Sequence, residues 1–333
     1  MGLFTKDPLQ IISFASYGTD AMLYIRGRAL EDENIDLSRK GLFGLLKNSW
    51  KRFEADEIAN TSIKIKLPDN SFYYTKTDAK GYFKFKQKIS GLSELTNEEG
   101  WLSYELSFDD PHPNRVIIQD NRFQGEVLIP ASNVDFGVIS DIDDTILHTG
   151  VTSFLKMKLI FNTFFRNAES RSPLEGAADF YHALHRGPSD ERANPFFYVS
   201  HSPWNLYRYL ALFLRKNSFP KGPILLRSLS VFKRRKEEEK PQKQREIIDI
   251  LNMYPAMKFI LIGDSGEHDA DIYIEIAEKF PGRIKAIYLR SVTHKKRVLR
   301  VQGLLATYTT TPTLLVEDSK AAITHARENG FIH

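Results

Sequence analysis

The chain has 333 residues, 42% hydrophobic and 26% charged, which sets the expectation of one large or two ordinary globular domains. It has no Cys, which excludes disulfides, thiolate zinc sites and a cysteine nucleophile. A formal net charge of +4 tolerates an anionic partner without demanding one, and nucleic acid is not an expected partner. The opening, MGLFTKDPLQIISF, lacks the charged start and long apolar stretch of a signal peptide, and Lys6 stands where a myristoylation pattern wants Ser or Thr. No apolar run approaches the ~20 residues that cross a bilayer. The expectation is a cytoplasmic protein without a transmembrane segment, at most peripheral on a membrane.

Residues 1–130 read as an N-terminal β-rich domain. Met22–Arg28 is its first expected strand. Ile63–Leu67 alternates apolar and polar residues before the turn cluster Pro68-Asp69-Asn70. Ser71–Thr77 and Tyr82–Ile89 read as a hairpin joined by Asp78-Ala79-Lys80-Gly81. Phe83 and Phe85 face one way in its second arm, and Lys84, Lys86 and Lys88 the other. Trp101–Phe108, Asn114–Ile118 and Gln124–Ile129 complete a set whose spacing suggests a small β-sandwich. One insert breaks this pattern. Leu42, Leu45, Leu46, Ser49 and Phe53 share a helical face, with Phe43 and Trp50 beside it and Lys47, Lys51 and Arg52 around the rim. Such a helix either caps the open end of a sandwich or lies on an anionic membrane, and capping is the commoner use.

After Pro130 strands and helices alternate, which predicts a mainly parallel α/β sheet over residues 131–333. Strands are expected to end at Asp141, at Ser200, near Leu226 and at Gly263. Later ones run from Ile284 to Leu289 and from Thr313 to Val316. Helices are expected over Thr152–Asn167, Gly176–His185, Trp204–Lys216, Gln242–Met253, Ala270–Lys279 and Ser319–Asn329. The run Phe232–Lys240, basic then acidic, reads as a solvated loop. In open sheets of this kind ligands bind beyond the carboxyl ends of the strands.

The polar residues gather at those ends. Val134, Phe136, Val138 and Ile139 mark a buried strand that runs into Asp141-Ile142-Asp143-Asp144-Thr145, three carboxylates in four residues. Carboxylates this close repel each other unless a cation sits among them, and their oxygens suit Mg²⁺. Alone, such a pattern is most often an Asp-rich turn capping a helix. A second strand ends in Ser200, before a helix that Pro203 can start. The fourth ends in Gly263-Asp264-Ser265-Gly266-Glu267-His268-Asp269, and a helix beginning near Lys243 precedes it. Each piece is weak, but the order is specific.

That order resembles the haloacid dehalogenase (HAD) superfamily of phosphohydrolases. The stretches FGVISDIDDTI, FYVSHSPWNLYRYLALFL, KFILIGDSGEHDADIY and AAITHARENGFI resemble more closely the catalytic domain of the phosphatidate phosphatase family typified by the fungal actin-patch enzyme. TDAKGYF, in the β region, is similar to the N-terminal portion of bacterial members. The resemblance implies a Rossmann-like, HAD-type fold. It also implies Mg²⁺-dependent hydrolysis of phosphatidate, or a related lipid phosphate, through an aspartyl-phosphate. Asp141 matches the nucleophile and Asp143 the general acid. Thr145, Ser200 and Lys243 match the groups that hold the transferring phosphoryl oxygens. The implied metal ligands are Asp141, the backbone carbonyl of Asp143, and Asp264, with Asp269 as a ligand or as a partner to one.

Lys240 stands close to Lys243. Lys243 is preferred because it lies four residues before Ile247, whose apolar side sets the helix register. Asp144 reads as a cap. His201 stands where family members often have Asn, and His201 and His268 read as exposed neighbours of the site rather than proton carriers. The insert at about 148–194, with the apolar segment Phe154–Phe165, is short and cap-like. That segment either covers the site or packs on the sheet. Two other functions fit the same sequence. One is the same chemistry on a soluble or nucleic-acid-end phosphate. The other is a non-enzymatic lipid-surface module, against which the intact acidic set argues.

Overall fold

The computed structural model describes residues 7–31, 57–113, 115–142, 145–146, 176–227, 240–266, 268–291 and 295–333. The amphipathic segment 42–53, Asp143, Asp144, Glu267, the Thr152–Asn167 helix and the insert up to residue 175 lie outside them. So does the charge run, except Lys240. The chain divides into two compact units, Met1–Ala131 and Ser132–His333.

The first unit contains β1 (Leu9–Phe14), β2 (Ser16–Tyr17), β3 (Met22–Glu31), β4 (Ser62–Lys66), β5 (Phe72–Lys76), β6 (Tyr82–Lys88), β7 (Trp101–Phe108) and β8 (Phe123–Leu128). They form two sheets, in the orders β1-β3-β6 and β2-β8-β7-β4-β5. Period-two alternation explains the core. Leu23 and Ile25 of β3, Ile63 and Ile65 of β4, Phe83 and Phe85 of β6, and Leu102, Tyr104 and Leu106 of β7 pack into one cluster fed by both sheets. Burying each aliphatic or Phe side chain of this size stabilises the fold by ~1.5–3 kcal/mol.

Two expectations are corrected here. β5 and β6 are not a hairpin: β5 pairs with β4, and β6 pairs with β3. The turn between them forms, with Asp78 N donating to Tyr82 O at 2.7 Å, but it carries the chain from one sheet to the other. Gly27 of β3 lies opposite Phe83, and a Cβ there would sit 2.7 Å from Phe83 Cε1, so the ring occupies the space that a side chain would fill. The strand expected over Asn114–Ile118 is reduced to an isolated bridge between Ile117 and Leu9. Positive φ at Gln119, Asp120 and Asn121 turns the chain away before a ladder can extend. β1 and β2 precede the first expected strand.

The second unit contains β9 (Gly137–Asp141), α1 (Ala177–Arg186), β10 (Phe196–Pro203), α2 (Tyr207–Lys216), β11 (Ile224–Arg227), α3 (Gln242–Met253) and β12 (Phe259–Asp264). It continues through α4 (Asp269–Lys279), β13 (Ile284–Arg290), α5 (Lys295–Thr307), β14 (Thr313–Val316) and α6 (Ser319–Glu328). The strands make one sheet, β11-β10-β9-β12-β13-β14, and every pair is parallel. β9 and β12 are buried along their whole length, so both faces demand apolar residues and the strands read as continuous apolar runs. Helix α5 was not expected. It opens on Lys295-Lys296-Arg297 and contains Gly303, which leaves no start signal and a weakened helical pattern.

From β9 the chain builds outward to β10 and β11, then returns to add β12, β13 and β14 on the other side. The direction of winding reverses between β9 and β12, and a crevice at the carboxyl ends is expected at that point. The start of β9 is anchored by buried Asn194. Its Oδ1 accepts Phe136 N at 3.1 Å, and its Nδ2 donates to Leu184 O at 2.9 Å.

Candidate active site

Strand register brings the acids together. Asp141, the last residue of β9, pairs with Val199 of β10, so Ser200 stands one residue beyond that level. Ser140 pairs with Ile262 of β12, so Asp264 stands two residues beyond. Asp141, Ser200 and Asp264 thus lie at three adjacent strand ends, and all three are buried. Ser200 Oγ accepts the N–H of Ser202 at 2.8 Å as β10 bulges toward Pro203.

The helices supply the rest. Lys243 is the second residue of α3 and only 1% exposed. Its Nζ donates to Asp141 Oδ1 at 2.7 Å and also to Asp269 Oδ1. Ile247, one turn later, is fully buried on the sheet side, which aims Lys243 at the strand ends. Lys240 points elsewhere: its side chain is 43% exposed and pairs with Glu275. Asp269 opens α4, and its Oδ2 accepts Asp264 N at 3.2 Å. Thr145 Oγ1 donates to Asp141 Oδ2 at 3.1 Å, and Gly266 N donates to Asp264 Oδ1.

Asp141, Asp264 and Asp269 each present one carboxylate oxygen within 4.8 Å of the others. Three carboxylates and the Lys243 ammonium leave this buried group with a formal charge of −2 (−3 + 1). Burial and mutual repulsion both oppose that charge unless a further cation enters. An all-oxygen donor set of this kind fits a hard divalent ion. Of the residues expected at the site, Asp141, Thr145, Lys243, Asp264 and Asp269 are brought together, Ser200 stands on the adjoining strand, and Asp143 lies outside the described residues. The His268 side chain is 84% exposed and faces Asp271 at 3.6 Å. His201 is half-buried.

Several supporting residues escaped the sequence reading. Ser140 Oγ donates to the Asp141 carbonyl at 2.7 Å and bonds to Tyr181 OH at 2.6 Å. With its proton committed to that carbonyl, Ser140 is the acceptor and Tyr181 the donor. Burial, reinforced by the Asp141 charge, pushes the Tyr181 hydroxyl well above the ordinary tyrosine range, so it keeps its proton. Tyr273 OH donates to Ile262 O at 2.9 Å, and burial raises its pKa too, with the Asp269 charge adding to the effect. Arg297 of α5 donates to Gly266 O at 2.5 Å, holding the loop whose N–H meets Asp264. Ser140 gave one signal, a polar residue inside an apolar run. Tyr181 and Arg297 gave none, because their partners are distant in sequence.

Gly263 is required by space. A Cβ there would lie 2.8 Å from Tyr273 Cε2 and 2.9 Å from Asp269 Cβ. Gly263→Ala is therefore expected to push α4 off the strand end, at a cost of ~1–3 kcal/mol. A thermal melt should show a transition lowered by about 5 °C for a unit of this size. An unchanged transition would mean that α4 yields without strain.

Fold and site together define a class: a parallel α/β protein with a buried acid cluster, bridged by a lysine, at its central strand ends. Residues 136–291 match the family model described as "Phosphatidate phosphatase APP1, catalytic domain". Every site residue expected from the sequence falls inside that span. Over 255 residues the chain is 32% identical to Phosphatidate phosphatase APP1 of Saccharomyces cerevisiae, covering 74% of this chain and 40% of that protein. It is 28% identical over 242 residues to the Schizosaccharomyces pombe "Uncharacterized protein C29B5.04c", covering 69% of this chain and 37% of that one. The chain spans about two fifths of the length of the curated relatives it matches. Among solved structures, Bacteroides thetaiotamicron EndoBT-3987 with Man5GlcNAc product aligns at 8% identity over 84% of this chain and 77% of that one. Its TM-score of 0.24 is too low to define a shared fold.

Proposed function

We propose that the chain is a Mg²⁺-dependent phosphoric monoester hydrolase that splits phosphatidate into diacylglycerol and phosphate through an aspartyl-phosphate on Asp141. The observation that carries this reading is the buried cluster of Asp141, Asp264 and Asp269 around Lys243, in a chain 32% identical to a protein named as a phosphatidate phosphatase. Counted within the second unit, the strand order is 3-2-1-4-5-6, with the nucleophile candidate ending the first strand. That order supports a Rossmann-like, HAD-type fold.

In this reading an Asp141 oxygen attacks phosphorus and the bond from phosphorus to the glycerol oxygen breaks. Lys243 on Oδ1 and Thr145 on Oδ2 hold the carboxylate in a fixed orientation. Asp143 protonates the leaving alkoxide. It then takes a proton from the water that attacks the aspartyl-phosphate, which frees phosphate and restores Asp141. General acid–base help of this kind is worth ~10²–10⁴ in rate. Ser200 and Lys243 donate to the transferring phosphoryl oxygens. Asp141, the Asp143 carbonyl, Asp264 and Asp269 would hold Mg²⁺, which when bound offsets the charge of phosphate and carboxylate as they approach. Among the described residues no helix is long and apolar enough to cross a membrane. The proposal places the protein in the cytoplasm, meeting its phospholipid at a membrane surface.

The test is a substrate panel with and without Mg²⁺. Phosphatidate in micelles is expected to turn over faster than sugar phosphates, nucleotides and phosphopeptides, and a soluble aryl phosphate should be cleaved slowly. Excess chelator should remove all activity and Zn²⁺ should not restore it, since hard oxygen ligands favour Mg²⁺. Full activity in chelator contradicts the metal assignment. A preference for nucleotides or sugar phosphates contradicts the lipid assignment while leaving the chemistry in place.

A further inference from the structure

We propose that the first unit docks on anionic phospholipid bilayers through the outer face of β4 and β5. This deepens the lipid-phosphatase reading, and rests on it for the choice of a lipid over other polyanions. β4 (SIKIK) and β5 (FYYTK) carry Lys64, Lys66 and Lys76, and no acidic residue. Alternation turns Ile63 and Ile65 of β4 into the core, so Lys64 and Lys66 face outward.

Two aromatic residues lie among them. Register sets Tyr74 opposite Lys64, and Phe72 opposite Lys66. Phe72 is 45% and Tyr74 54% exposed, and Lys64 Nζ sits 4.2 Å from the centre of the Phe72 ring. β5 and β6 are edge strands of different sheets, tied where Thr75 Oγ1 donates to Lys84 O at 3.1 Å. The core lies between the two sheets, so the lysines of β6 face away from those of β4 and β5 and lie outside the patch. The patch has a border: across β4, Lys66 meets Glu105 of β7, and Ser103 of β7 meets Glu126 of β8, so the far half of the sheet carries acids. Lysines on an edge strand also guard against strand-to-strand aggregation. A guard has no use for two exposed aromatic rings between its charges, whereas aromatic rings flanked by lysines suit the boundary between headgroups and acyl chains.

Each lysine near an anionic leaflet is worth about fivefold in partitioning. The experiment is sedimentation of the full chain with phosphatidylcholine vesicles, with and without phosphatidylserine. Binding is expected only with phosphatidylserine, weakening as salt rises. Replacing Lys64, Lys66 and Lys76 together by Gln should weaken it about a hundredfold, and Phe72→Ser with Tyr74→Ser about tenfold. Glu105→Gln should not weaken it. Because these side chains project from the surface, melting temperatures should hold, which separates lost docking from lost folding. Wild-type binding by the lysine and aromatic variants would overturn the proposal. So would failure of the wild type to bind, or equally tight binding of a single-stranded oligonucleotide through the same residues. Turnover of a soluble aryl phosphate, followed alongside, reads the catalytic proposal by itself. Its absence with vesicle binding intact fails the enzyme reading alone, and its presence without vesicle binding fails the docking face alone.

Discussion

Asp141→Asn is expected to lower turnover by about 10³-fold or more while the protein melts no lower than the wild type. An amide cannot form the acyl-phosphate, and no other carboxylate in the cluster is placed identically. Asp264 and Asp269 enter from β12 and α4 rather than from β9. The stability half of the expectation comes from charge. The cluster holds a formal −2, and the substitution reduces it to −1 (−2 + 1), relieving repulsion in a buried place. The Asn oxygen can still accept from Lys243, which also keeps Asp269. Sites built for reaction are commonly suboptimal for stability, so a small rise in melting temperature is reasonable. Steady-state kinetics on an aryl phosphate and a thermal melt check both halves. More than a tenth of wild-type activity removes Asp141 as nucleophile. A large drop in melting temperature would mean that its carboxylate is structural.

Lys243→Met should do the opposite to stability. The ammonium is 1% exposed and bridges two buried carboxylates. Removing it leaves Asp141 and Asp269 facing each other without their shared cation. Breaking a buried ion pair from one side costs about 3–5 kcal/mol. For the second unit that lowers the melting transition by about 10 °C or more. Turnover should fall as well, since the same Nζ orients Asp141. Lys240→Met is the control three positions earlier. Its side chain is largely in solvent and its partner Glu275 is half exposed, so a change within ~1 kcal/mol is expected. If the two variants melt alike, the bridge is not what holds these acids together.

The acid cluster was readable because of where it sits. Strands buried on both faces, such as β9 and β12, allow only apolar residues, so Asp141 and Asp264 at their ends stand out as breaks in the run. The same local contrast marks the parallel unit, whose strand ends and most described helices follow from runs of apolar residues and their spacing. Lys243 against Lys240 is a nearer question. Both lie near the start of one helix, and spacing to Ile247 favours Lys243, but only packing shows which nitrogen reaches Asp141.

What escaped the sequence shares one physical cause: the deciding contact joins residues far apart along the chain. The turn at Asp78–Gly81 suits a hairpin as well as a crossing between sheets, and the pairing of β5 with β4 and of β6 with β3 decides between them. Tyr181 supports Asp141 through Ser140 across 41 positions, and Arg297 holds Gly266 across 31. Burial pattern and residue chemistry are local properties that a sequence states directly, and they determined the two kinds of unit and the acids at the strand ends. Strand partners, the sheet that each strand joins and the donors behind each acid depend on which surfaces meet when the chain closes, and only the tertiary structure decided them.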